Sequence, residues 1–274
     1  MPAPRVSILM NCFNGGRFIG ESIRSVLNQS YSDFELVIWD NCSTDDSSDI
    51  VRSFTDPRIH YHLAPEHTTL AEARRQAFAL LTGQWIGILD VDDLWLEDKL
   101  ARQLALADKH PEAGFIYCGT RVISTNQPTD HDLPFDRVGK DLPQGNLYRR
   151  LLRGNFIAIC SLLLNRARLE ALGGFSGQYP IMEDYWTTLN LSRLHPAYAV
   201  PEILCEYRLH GANASQSGPL DTFEDLRIVR GLFPEPAAML ASLRITGRHL
   251  KKCIRHRQPP QLADLGRAFM QPGG

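Results

Sequence analysis

Trp85-Ile86-Gly87-Ile88-Leu89-Asp90-Val91-Asp92-Asp93 decides the fold: an apolar run short enough for a buried strand delivers three acids within four residues at its carboxyl end. Upstream, Thr69 to Leu81 carries helical spacing that Gly83 stops, and Arg58 to Leu63 reads as another strand. Val6 to Met10 is a buried strand broken by Asn14-Gly15-Gly16, after which Phe18, Ile23, Val26 and Leu27 recur at helical spacing. Phe34 to Trp39 repeats the pattern, ending at Asp40, with Ser43-Thr44-Asp45-Asp46 as N-cap chemistry for a helix carrying Ile50, Val51 and Phe54. Strands alternating with helices predict an α/β chain with a Rossmann-like, mostly parallel sheet flanked by helices. Ligands bind such sheets beyond the carboxyl ends of the strands, where Asp40 and the Asp90 cluster stand.

Downstream the pattern loosens. A helix is expected from about Leu96 to His110 and strands over Gly114 to Ser124, Ala158 to Asn165 and Ile203 to Leu209. A helix is expected over Glu183 to Leu194, and further helix from about Asp221. The polar, Pro- and Asp-rich segment from Thr125 to Pro143 is a candidate lid or acceptor-recognition loop.

The 274 residues are 43% hydrophobic, enough to bury roughly 75% of the unfolded surface without disulfides or a structural metal. With 29 basic and 31 acidic side chains the net charge is −2, which argues against a nucleic-acid-binding surface. No apolar run approaches the roughly 20 residues that span a bilayer, and no secretory signal pattern opens the chain, so a cytoplasmic location is expected. The six cysteines are 30 or more residues apart, as reduced thiols would be.

Three acids crowded at a strand end repel one another unless a cation neutralises them, and oxygen donors suit Mg²⁺ or Mn²⁺; a solvated acidic turn is the plainer alternative. An EF-hand is excluded, since Trp95 and Ala101 occupy the positions that require Gly and Glu. Asp40 is a candidate acceptor for a nucleobase or ribose, or a cap for the following helix. Arg74 could reach a diphosphate, with a surface salt bridge as the default reading. Glu183 and Asp184 open a helix, where the macrodipole favours acids, and neighbouring aromatics would raise Asp184 toward general-base use. Tyr207-Arg208-Leu209-His210-Gly211-Ala212-Asn213 gathers a base, a cation and a glycine turn, with a structural or exposed histidine as the plainer reading of His210. Phosphate-loop, dinucleotide-binding and nucleophile-elbow motifs are absent.

These pieces occur together in a recognisable order: Asn11-Cys12-Phe13-Asn14-Gly15, Ser25-Val26-Leu27-Asn28-Gln29-Ser30-Tyr31, Glu35 to Asn41 with Ser43-Thr44-Asp45, Ala73-Arg74, Leu89 to Asp93, Gly173-Gly174-Phe175, Glu183-Asp184, and Tyr207-Arg208 with His210. The chain resembles the GT-A fold glycosyltransferases of family 2, an inverting group that uses nucleotide-diphosphate sugars, over about residues 5–215. The resemblance implies a nucleobase site at Asp40 with the backbone near Cys12 and Asn14. It implies that Asp90, Val91, Asp92 and Asp93 hold the donor's ribose and diphosphate, with Asp92 and Asp93 on Mn²⁺ or Mg²⁺. Asp184 is then the catalytic base, Arg74 and His210 stabilise the leaving diphosphate, and Glu183 joins the substrate-binding set. The implied partners are a nucleotide-diphosphate sugar donor and a glycan or lipid-linked saccharide acceptor. Asn11 and Cys12 stand where proline and threonine are usual, Asn41 replaces a second acid, and Arg75 replaces a frequent asparagine, which bears on donor identity. The absence of a Q-x-x-R-W segment implies transfer of a single sugar. Two alternatives are a sugar-1-phosphate nucleotidyltransferase, for which Asn14-Gly15-Gly16-Arg17 is a poor signature, and a degenerate nucleotide-sugar-binding protein.

The expected division is a catalytic domain over 1–215 and a helical C-terminal extension over 216–274. Arg244 to Arg257 holds six Lys or Arg residues, and no acid occurs between Glu235 and Asp264. Met239, Leu243, Leu250 and Ile254 share one face of an amphipathic helix that either docks on the catalytic domain or makes peripheral contact with an anionic membrane at its inner face.

Overall fold

The computed structural model describes residues 3–124, 141–180, 182–210, 213, 225, 227–232 and 235–255. The expected lid at 125–143 lies almost wholly outside them. The first strands are β1 (Val6–Cys12), β2 (Phe34–Asp40), β3 (Ile59–Leu63) and β4 (Trp85–Ile88), joined by helices α1 (Gly16–Leu27), α2 (Ser47–Arg52) and α3 (Leu70–Ala77). The chain continues through β5 (Leu94–Trp95), α4 (Lys99–Lys109), β6 (Phe115–Ser124), α5 (Tyr148–Leu151), β7 (Leu163–Asn165) and α6 (Arg166–Ala171). It ends with α7 (Glu183–Leu194), β8 (Ala197–Leu209) and α8 (Pro236–Arg255).

One eight-stranded sheet runs in the order β3-β2-β1-β4-β7-β6-β8-β5. Pairings among β1 to β4 are parallel, as the strand–helix alternation predicts. Beyond β4 the sheet is mixed: β7 is antiparallel to β4 and β6, β8 is parallel to β6, and β5 is antiparallel to β8. The period-2 geometry of strands sorts the core into two layers. Ile8, Met10, Leu36 and Ile38 pack with Ile19 and Ile23 of α1 and Leu100 and Leu104 of α4. Leu9 and Val37 face the other way, onto Ala73 and Ala77 of α3, Tyr185 and Leu189 of α7, and Ala238, Ala241 and Ile245 of α8. The chain starts at β1, moves outward to β2 and β3, then returns to β4 on the other side of β1. The crevice between the carboxyl ends of β1 and β4 is therefore a topological switch point.

Several expectations need correction. The helix expected from Leu96 starts at Lys99, because Leu94 and Trp95 pair with Glu206 and Cys205 and the Leu96 N–H donates to Leu204 O. The strand expected over Ala158 to Asn165 begins with a 3-10 turn at Ile159–Ser161 and is extended as strand only over Leu163–Asn165. Strand β8 runs from Ala197, earlier than expected. Gly83 does not end α3, which stops at Ala77 and passes through a 3-10 turn at Phe78–Leu80. It is instead a site of close approach: a Cβ at Gly83 would sit 2.4 Å from Ser7 N and 2.7 Å from Val6 C. Both atoms are backbone of the central strand, so Gly83→Ala forces β1 and the turn before β4 apart. A loss of roughly 2 kcal/mol or more is expected in urea unfolding; an unchanged midpoint would show that the turn yields freely.

Candidate active site at the sheet switch point

The turns after β1 and β2 are laced together. Asn14 takes a positive φ of 51°, which an L-residue adopts with least penalty when it is Asn or Asp, and its Oδ1 accepts the Thr44 N–H at 2.8 Å. In return the Asn14 N–H donates to Ser43 Oγ at 2.9 Å, and Cys12 O accepts the Asn41 N–H at 2.8 Å. Asp40 is 1% exposed, its Oδ1 accepting from Ser43 N at 2.8 Å and its Oδ2 from Tyr61 Oη at 2.6 Å. The structure thus brings Cys12, Asn14 and Asp40 together, with the Asp40 carboxylate engaged in building the turn.

Across the crevice, the chain after β4 splits its acids. Asp90 accepts from Arg74 Nη2 at 2.7 Å and keeps a side chain 26% exposed. Val91 packs against the start of α1, where a Cβ on Gly15 would meet its Cγ2 at 2.8 Å; Val91 O also lies 2.6 Å from Ser22 Oγ. Asp92 is 21% exposed, its Oδ2 2.9 Å from His210 Nε2 and 3.2 Å from Asn213 Nδ2. Burial, reinforced by the charge of Asp90, pushes the Asp92 carboxyl up against the opposing pull of His210. Asp93 is fully buried, and Arg208 N donates to its Oδ1 at 2.9 Å. Burial, and then the charges of Asp92 and Asp90, raise its carboxyl well above the usual range. Asp93 ties β8 to the acidic loop, leaving Asp90 and Asp92 as the acids that reach the crevice.

The floor of the crevice is a buried charge relay between α3 and α7. Arg74, 3% exposed, contacts Asp90 and also lies 3.6 Å from Glu183 Oε2, an ion pair too long for a hydrogen bond. Arg74 is thus no surface salt bridge. Burial opposes its charge, but Asp90, Glu183 and Asp184 outweigh that and hold it above its ordinary value. Glu183 is 1% exposed, with Thr187 Oγ1 donating to its Oε1 at 2.6 Å. Burial raises it to about 7 despite Arg74. Asp184 is half-buried and accepts from Asn155 Nδ2 at 3.2 Å; desolvation raises its carboxyl to about 6, opposed by Arg74. A carboxylate so tuned can accept a proton near neutral pH.

Asn155 carries no chemical signal in the sequence, and Asn213 closes the segment from Tyr207 without a role of its own there. Arg208 sat beside His210 in a motif without an assigned role. Its Nε donates to Asp92 O at 2.8 Å, its Nη2 reaches Glu21 Oε2 at 2.6 Å, and its guanidinium lies 4.8 Å over the Phe18 ring. It anchors the acidic loop to α1. Among the described residues no group of three or more His, Cys, Asp or Glu is arranged to hold a metal alone. Asp90 and Asp92 still fit a hard divalent cation, because such ions commonly take one or two carboxylates and complete their shell with phosphates and water.

The glycosyl transferase family 2 model matches residues 7–171, from β1 to the end of α6. The E. coli UDP-Glc:alpha-D-GlcNAc-diphosphoundecaprenol beta-1,3-glucosyltransferase WfgD is 31% identical over 215 residues, covering 77% of this chain and 80% of that one. Among solved structures, S. aureus TarS 1-349 in complex with UDP superposes with a TM-score of 0.68 at 16% identity, over 90% of this chain and 72% of that one. The mannosyltransferase PcManGT from Pyrobaculum calidifontis, in complex with GDP-Man and Mn2+, gives 0.66 at 19% identity, over 97% and 80%. These two likenesses establish the fold, that of the GT-A enzymes. A family match across the whole parallel half of the sheet, joined to a relative at this identity over three quarters of the chain, makes the protein a glycosyltransferase of family 2.

Proposed function

We propose that the protein is an inverting, metal-dependent glycosyltransferase that moves a single sugar from a nucleotide diphosphate to a hydroxyl of a glycan or lipid-linked saccharide, with Asp184 as the base. The observation that carries this reading is the placement of Asp184, raised to about 6 by burial, beside an Arg74 that also touches Asp90. Asp184 would take the acceptor hydroxyl's proton as that oxygen attacks the anomeric carbon in line with the departing diphosphate, inverting its configuration. The laced turns at Cys12, Asn14 and Asp40 would receive the nucleobase, and Val91 backbone and Asp90 the ribose. Asp90 and Asp92 would hold Mn²⁺ or Mg²⁺, which when bound supplies charge neutralisation to the leaving diphosphate. Arg74 sets the field around Asp90 and Glu183 from the buried side, and His210, held by Asp92, would stabilise the same leaving group. Glu183, which Thr187 orients, keeps Arg74 in place from the α7 side.

An acceptor carried on a lipid diphosphate is favoured because WfgD, by its name, acts on such a molecule. The catalytic unit is assigned to 1–215 and the helical extension to 216–274. Calorimetry with UDP, GDP, dTDP and CDP, each with Mn²⁺ and with chelator, is the test. Binding of one nucleotide that chelator abolishes is expected, followed by turnover of its sugar conjugates. Silence from all four would remove the donor site, and binding without any turnover would leave the degenerate alternative.

A further inference from the structure

Helix α8 docks by one face and leaves another bare. Ala238, Ala241, Ser242 and Ile245 are buried against the layer that holds Tyr185 and Leu189. Met239, Leu240 and Leu243 are 50%, 59% and 71% exposed, and Arg244 beside them is exposed. The face formed by Met239 and Leu243 is therefore turned away from the catalytic domain, not docked on it. At about 100° per residue, positions 250 and 254 of α8, Leu and Ile, continue the line of Met239 and Leu243. Positions 244, 251 and 255, all Arg or Lys, run alongside it on the same half of the helix. No helix among the described residues is long and apolar enough to cross a membrane.

We infer that this half-apolar, half-basic face of α8 lies on an anionic lipid surface, parallel to it, with the apolar line entering the headgroup boundary. Charge selects the occupant. No acid occurs between Glu235 and Asp264, so a second copy of the helix would bring cation against cation, whereas anionic headgroups complement it. Scattered surface leucines need no partner, but three adjacent large apolar side chains on a helix whose opposite face is already anchored expose a contiguous patch. The inference does not rest on the transfer reading, since it concerns only the helix face.

The test is co-sedimentation of the full chain with phosphatidylglycerol-containing vesicles and with pure phosphatidylcholine vesicles, alongside the Leu240→Glu/Leu243→Glu variant. Both substituted positions are exposed, so an unchanged thermal melt and unchanged nucleotide affinity should accompany the variant and keep the outcome separate from the donor site. Wild type is expected to sediment with the anionic vesicles, to release as salt is raised, and to ignore the neutral ones. The double variant is expected to lose binding at least about tenfold. Absent binding by wild type, or equal binding by the variant, overturns the inference. A wild-type dimer that the variant dissociates, without vesicle binding, would give the face to a second copy and overturn it equally.

Discussion

Asp184→Asn is expected to bind donor nucleotide as the wild type does and to lose transfer by roughly two to four orders of magnitude, the usual contribution of a positioned general base. Asn keeps the size and a hydrogen-bonding oxygen for Asn155 but cannot accept a proton. The wild-type rate should rise with pH and level off above about 6, the value to which burial lifts this carboxyl. The same shift makes a second, independent statement about stability. A carboxyl whose folded pKa lies above its unfolded value stabilises the fold while protonated, in full below the ordinary value of 3.8, and loses that contribution as pH rises through about 6. The ionised base is thus a liability to the fold at neutral pH. Asp184→Asn should melt higher than wild type near pH 8, by at most about 3 kcal/mol and less where the carboxyl meets solvent, with the gap closing toward about pH 4. Retained transfer would remove Asp184 as the base. A variant less stable than wild type near pH 8 would mean that Arg74 stabilises the ionised carboxyl more than burial penalises it.

The parallel half of the sheet was readable because its strands are buried on both faces. Val6–Cys12 has no exposed residue, so an uninterrupted apolar run, a turn and a helix period state its place without knowledge of distant partners. The other half depends on partners far away in sequence. Leu94–Trp95 becomes a strand only because β8 arrives beside it at Cys205 and Glu206. The segment 158–165 turns because distant side chains satisfy its carbonyls: Trp95 Nε1 donates to Cys160 O and Gln103 Nε2 to Ser161 O, both at 2.8 Å. The site divides in the same way. Acids at strand ends and at the start of α7 could be named from local pattern, but direction could not. Asp92 and Asp93 are adjacent and identical in type, and only the docking of Arg208 N onto Asp93 turns one inward while its neighbour meets His210. Arg74 looked like a surface residue because nothing in α3 alone reveals that Asp90 and Glu183 close over it.

That closure makes Arg74 the residue whose loss should cost the fold most. Arg74→Met keeps much of the buried volume and removes the cation that Asp90, Glu183 and Asp184 share. Breaking a buried pair by deleting one partner leaves an uncompensated charge and typically costs about 3–5 kcal/mol, far more than the pair itself contributes. Glu183 has an escape, since burial already holds it at about 7 with Arg74 present. Without the cation its pKa rises further, so it can take up a proton and shed the penalty. The damage is therefore expected to be pH-dependent, greatest near about pH 8 and reduced toward about pH 6, where Glu183 is protonated in both proteins. A second substitution separates this account from a packing defect. Arg74→Met/Glu183→Gln removes the orphaned charge and should recover a large part of the loss near about pH 8, giving a favourable coupling in a double-mutant cycle. If the two losses simply add, Arg74 acts by filling space, and the charge relay between Asp90 and α7 has no energetic content. The partial rescue, if it appears, should restore stability without restoring transfer, because Asp90 would still lack the partner that fixes its carboxylate at the mouth of the crevice.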